Sequence, residues 1–126
     1  MSGRMKPEAV QVIKKRRDGA LHALVGGVPY IQFLGIEFER RGDELTAILP
    51  FSNKLVGNPI ISALHGGVTA SFLEVTSIIT LSWGTLWEDL ESGAIEVDKM
   101  DGEHMPRLPK TIDFTVDYLR SGLPRD

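Results

Sequence analysis

The 126-residue chain contains no cysteine. That excludes disulfides, thiolate metal sites and a cysteine nucleophile. Neither sign of charge dominates: 14 lysines and arginines stand against 17 aspartates and glutamates, a net −3 with neutral histidines. Such a balance gives no overall pull toward nucleic acid or an anionic membrane. Long uninterrupted apolar runs are missing too. The first apolar stretch is short and laced with charge, so nothing resembles a signal peptide, and the chain reads as cytoplasmic. The longest apolar segment is broken by Ser71, Glu74, Thr76, Ser77 and Thr80 too often for a membrane span. What remains is 42% hydrophobic and 25% charged, the composition of an ordinary globular protein. Residues 1–126 are long enough for one domain with a modest core.

The rest of the chain is organised around one stretch, Asn58-Pro59-Ile60-Ile61-Ser62-Ala63-Leu64-His65-Gly66-Gly67. From Gly67 to about Trp83 the pattern predicts a helix with no proline, apolar on nearly every side and therefore buried. Two glycines at its start allow a ligand close to the backbone. The first amides of a helix have no partner within it, so they can donate to an oxyanion. Glu74 is the one charge in this helix, costly there unless paired or used. His65 and Glu74 are nine residues apart, roughly 900° of turn and about 13 Å of rise. They point to opposite sides, so one reaction using both needs Glu74 from a second copy. The sequence therefore predicts a dimer with shared sites.

The flanking segments add elements. Residues 7–25 read as a first helix, with Pro7 in its first turn, an imperfect stripe of Val10, Ile13, Arg17, Ala20, Leu21 and Leu24, and Gly26-Gly27 at its end. Its basic run, Lys14 to Arg17, reads as a solvated face rather than a contact for nucleic acid or coenzyme phosphates. Residues 30–40 and 44–50 read as a β-hairpin turning near Gly42-Asp43. Phe51 to Ala63 reads as a functional loop. Residues 84–109 read as an acidic insertion, a lid or a solvated loop. His104 and its neighbouring acids lack the spacing of a metal site, so no metal is expected. Thr111 to Leu119 alternates as a half-buried strand, with Ile112, Phe114, Val116 and Tyr118 on one face.

Asn-Pro, Leu-His-Gly-Gly, an acid nine positions after the histidine, and the later Asp117-Tyr118-Leu119-Arg120 together resemble the signature of hotdog-fold acyl-CoA thioesterases of the phenylacetic-acid-degradation (PaaI-like) type. The likeness runs from about Gly35 to Arg120. It implies an α+β hotdog fold, an antiparallel sheet wrapped around the long central helix. Three strands are legible, and the family supplies about two more after the turn at Ser121-Gly122, so the C-terminal strands are expected to be missing from this chain.

The resemblance implies thioester hydrolysis without a cofactor, coenzyme A being part of the substrate. A leaving thiol of pKa about 8.5 needs no strong general acid. An oxyanion site and a carboxylate suffice. By resemblance, Gly66 and Asn58 would donate to the thioester oxygen, and Glu74 of the partner chain would be nucleophile or base. Thr111 would position water, with Ser77 a second candidate for that role. His65 would orient the loop or the substrate. Gly67, Ser77 and Arg120 complete the candidate substrate-binding set. Leu55, Val56, Ile60, Ile61 and Phe72 would suit a short-to-medium or aromatic acyl group. The family's homodimers or tetramers are the expected assembly. A hotdog domain that binds acyl-CoA without hydrolysis is the alternative, and a hydratase ranks below it, since its loop-helix spacing is absent.

Overall fold

A computed structural model describes residues 9–100 and 107–124. Pro7 and His104, singled out above, lie outside the described residues.

The first helix, α1 (Val10–Gly26), buries Ala20, Leu21 and Leu24, while Val10 is exposed. Gly27 caps it, donating its amide to Ala23 O. The basic run is drawn partly onto the fold rather than left wholly to solvent. Arg17 Nε donates to Glu91 Oε1 at 3.0 Å, and its guanidinium lies 5.1 Å from the centroid of the Trp87 ring.

Residues 30–34 are not the start of a strand. They belong to a six-residue helix, α2 (Pro29–Leu34). Pro29 sits at the start of this helix, and Gly35 ends it in the left-handed conformation, φ 76°. That Pro-first, Gly-after bracket favours a helical turn over a strand. Ile31 and Leu34 are buried and fix α2 to the core. The hairpin follows, shorter than expected. Strand β1 (Glu37–Arg41) pairs antiparallel with β2 (Glu44–Ile48), Arg41 opposite Glu44, and Gly42 turns it with φ 62°. Arg40 Nε donates to Asp18 Oδ1 at 2.8 Å and ties the hairpin to α1.

The loop at 51–63 carries more order than expected. A 3-10 turn (Asn53–Leu55) leads into β3 (Val56–Asn58), which pairs antiparallel with β4 (Ala63–Leu64). Leu55 falls in the core instead of beside a ligand.

The central helix, α3 (Gly66–Ser92), runs 27 residues, nine past the expected end at Trp83. The supposed insertion at 84–109 therefore begins as helix. Gly84 weakens the interior by about 1 kcal/mol, but Trp83, Leu86 and Leu90 continue a buried stripe from Ile79 against α1. The true stop is Gly93, left-handed at φ 79°. The helix is not buried all round. Its buried residues cluster in the C-terminal half, while Leu73 and Leu81 are 44% and 62% exposed.

The α+β class holds: one long central helix with small antiparallel sheets. Among the described residues, however, the sheets are two separate pairs, β1-β2 and β3-β4, and no single sheet wraps α3. Residues 111–119 form no ladder. Their alternation favours extended chain, but a strand also needs a paired edge. Ile112 is 97% exposed and Tyr118 55%. This segment instead runs antiparallel to the N-terminal half of α3, touching Glu74 through Thr111 and Gly66 through Tyr118.

Candidate functional site

The His-Gly-Gly corner is the start of α3. His65 is its N-cap, with extended backbone at φ −60°, ψ 133°, and its Nδ1 accepts from the Gly67 amide at 2.9 Å. Nδ1 accepting places the ring proton on Nε2. The His65 carbonyl takes the next amide, that of Val68, at 2.9 Å. Of the first helical amides, Gly66 N–H alone has no acceptor among the described residues, and Gly66 is exposed. A hydrogen-bond donor at a helix N-terminus, open to solvent, is what an oxyanion requires.

Gly57 holds this corner in place, and sequence reasoning passed over it. A Cβ there would lie 2.6 Å from His65 Cα and 2.9 Å from His65 Cβ. The backbones of β3 and the cap touch, and His65 N donates to Leu55 O at 2.8 Å. The signal available in the sequence was the glycine directly before Asn58. Asn58 Oδ1 accepts from Ile60 N at 3.1 Å. With the oxygen turned into its own loop, the Nδ2 protons are the atoms left to donate outward. Ser62, at φ 52°, closes that loop in a conformation uncommon for serine.

Asn58 and Gly66 line one cavity of about 480 Å³ together with Ile61, Thr69, Tyr118 and Arg120. Tyr118 was not among the expected site residues. Its hydroxyl donates to Gly66 O at 2.6 Å and its ring lies 3.5 Å from where a Gly66 Cβ would stand. The tyrosine ring therefore packs over Gly66 at ordinary van der Waals distance.

Glu74 does not line this cavity. It sits eight residues farther along α3, roughly 12 Å of rise. There it is half-buried, and Oε1 accepts the Thr111 hydroxyl at 2.8 Å. The chain therefore holds two separate groups: donors at Asn58 and Gly66, and a carboxylate held by Thr111. Ser77 does not line the cavity. Its hydroxyl donates to Leu73 O at 2.9 Å, in its own helix. His65 and Gly67 act on one another as cap and capped amide. Among the described residues no group of three or more histidines, aspartates or glutamates could hold a metal ion. Nor is any described helix long and apolar enough to cross a membrane.

No protein-family model matches the chain. No solved structure matches it either. Curated relatives do. The chain is 39% identical over 97 residues to a protein of Escherichia coli (strain K12) named medium/long-chain acyl-CoA thioesterase YigI. It is 38% identical over 97 residues to the protein of that name in Salmonella typhimurium. In both cases the match covers 75% of this chain and 59% of the relative. The chain thus spans well under two thirds of the length of the curated relatives it matches.

Proposed function

We propose that this chain is a hotdog-type acyl-CoA thioesterase subunit of the PaaI-like kind, acting as a homodimer or a higher assembly of dimers. The observation that carries the reading is the Gly66 amide at the α3 N-terminus, unpaired among the described residues and sharing a cavity with Asn58. The likeness to proteins named acyl-CoA thioesterase supports the same chemistry.

In this reading the thioester oxygen sits against Gly66 N–H and the Asn58 side-chain amide. Negative charge develops on that oxygen as the carbonyl is attacked, and fixed donors stabilise it more than they stabilise the ground state. The α3 dipole adds to the effect. Arg120, in the same cavity, offers a cation to an anionic part of the substrate. The carboxylate comes from Glu74 of a second copy, because Glu74 of the same chain lies about two turns away along α3. Thr111 fixes that carboxylate by its hydrogen bond to Oε1 and leaves Oε2 for the reaction. His65 serves the helix cap rather than proton transfer, since its Nδ1 is taken by Gly67.

Thiol release from a panel of acyl-CoAs, followed with a thiol-reactive dye, tests the reaction. The protein has no cysteine to react with the dye. Wild type should release coenzyme A, and Glu74→Ala should lose at least about 100-fold in kcat, the scale of a catalytic base or nucleophile. Turnover that survives Glu74→Ala sinks the reading. Saturable acyl-CoA binding with no thiol release from wild type would favour the binding-only alternative. The shared site has its own test. Asn58→Ala and Glu74→Ala are mixed after denaturation and refolding. One intact site per mixed dimer should restore about a quarter of wild-type activity, given random C2 pairing. No recovery above the two separate variants would place both half-sites in one chain.

A further inference from the structure

Helix α2 touches the carboxylate half-site at a point the proposed mechanism does not use. The Tyr30 hydroxyl donates to Ser71 Oγ at 3.1 Å. Ser71 is three residues before Glu74 on α3, and residues three apart on a helix have Cβ atoms about 5–6 Å apart. Gly67, Ser71 and Glu74 share one face of α3 at helical spacing.

Ser71 differs from the hydroxyls around it. Thr76, Ser77 and Ser82 each donate to the carbonyl four residues earlier in the helix, at 2.6, 2.9 and 2.8 Å. Such back-bonding uses up the hydroxyl proton. Ser71 makes no such bond among the described residues. It accepts from Tyr30, and its own proton has no acceptor among the described residues. Tyr30 is held firmly enough to do this. Ile31 and Leu34 anchor α2 in the core, the Phe33 ring stacks on Tyr30 at a centroid distance of 6.2 Å, and Lys54 lies over Phe33 and donates to its carbonyl. Tyr30 itself remains 45% exposed, so its hydroxyl is not needed to satisfy a buried group.

We infer that Ser71, oriented by Tyr30, positions the attacking water beside Glu74 in the thioesterase reaction, with Tyr30 a positioning residue acting through Ser71. The inference rests on the function proposed above and takes Glu74 as general base. Ser71 Oγ–H donates to the water oxygen, and one water proton points at Glu74 Oε2. As the water oxygen forms its bond to the thioester carbon, that proton passes to Glu74. The C–S bond then breaks and coenzyme A leaves as thiolate, which takes the proton back and returns Glu74 to carboxylate. Thr111 steadies the other carboxylate oxygen, so the two hydroxyls divide the work, one holding the base and one holding the water.

The test is steady-state kinetics on Tyr30→Phe, Ser71→Ala, the double variant and Ser71→Thr, with Glu74→Ala as reference and thermal melts alongside. Tyr30→Phe and Ser71→Ala should each lower kcat about 10-fold or more with KM within about twofold, the pattern of an interaction made in the transition state. The double variant should be no worse than Ser71→Ala, because the two act as one unit. Ser71→Thr keeps a hydroxyl and should retain most of the wild-type kcat. If Tyr30→Phe lowers only the melting temperature and leaves kcat unchanged, the bond is a staple between α2 and α3 and the inference is overturned. Equal loss in Ser71→Ala and Ser71→Thr would also overturn it, since packing rather than the hydroxyl would then matter. A wild type that releases no coenzyme A would overturn the thioesterase reading, and this inference with it. A wild type that turns over with Tyr30→Phe and Ser71→Ala unchanged would overturn this inference alone.

Discussion

At the scale of single residues, the site depends on three contacts. Gly57 is the most demanding. A methyl at that position would meet backbone, 2.6 Å from His65 Cα, and backbone cannot swing aside as a flexible side chain can. Gly57→Ala should therefore cost about 1–3 kcal/mol, the range for forced overpacking, read as a lower midpoint in urea. It should also lower kcat, because the His65 cap moves with β3. Gly66 and Tyr118 form the second. Tyr118→Phe removes the hydrogen bond to Gly66 O, about 0.5–1.5 kcal/mol of stability by denaturant titration. The third is His65 with Gly67. His65→Asn keeps an N-cap acceptor and should hold most of the stability, whereas His65→Ala should lose about 1 kcal/mol, as lost caps do. The His-Gly-Gly triplet and Glu74 were legible as residues because their types and spacing are unusual in a buried helix. Gly57 and Tyr118 were not, because each matters through what it touches across the fold.

At the scale of elements, α2 and α3 differed most from expectation, and for opposite reasons. The hairpin expected over 30–40 and 44–50 takes in residues 30–34, which form no strand. Pro29 and Gly35 bracket them as one short helix, and the alternating pattern begins only after that bracket. In α3, the helix expected to end near Trp83 runs on through Gly84. Gly84 is a helix-interior glycine, since Leu86 and Leu90 behind it are buried against α1. A Cβ at Gly84 would meet nothing within 4 Å. Gly84→Ala should thus stabilise the protein by about 0.4–1 kcal/mol, raising the melting temperature without altering thiol release. Gly93→Ala should do the reverse by roughly 1–2 kcal/mol, because its φ of 79° is left-handed. The contrast between the two glycines of one helix, measured in one melting experiment, checks where α3 ends.

At the scale of the whole molecule, the core lies between α1, α2 and the C-terminal half of α3, with Trp83, Leu24, Ile31 and Leu86 fully enclosed. The outer face of α3 and the 107–124 segment carry exposed apolar side chains, among them Leu73, Leu81, Ile112 and Leu119. Self-association of the proposed kind would cover them. Leu81→Lys with Ile112→Lys should then shift the protein toward monomer in sedimentation while leaving its helical circular dichroism intact. What the sequence by itself determined is what is local in origin. The central helix and its N-terminal corner, the hairpin turn at Gly42 and the types of the candidate site residues all follow from side-chain period and backbone preference over a few neighbours. What only the tertiary structure decided is who meets whom. That Thr111 reaches Glu74, that Tyr118 closes on Gly66, that Gly57 presses on His65 and that residues 111–119 find no paired edge all depend on contacts between segments far apart in the chain. Periodicity fixes which way a side chain faces along its own element, and only packing fixes which other element it finds there.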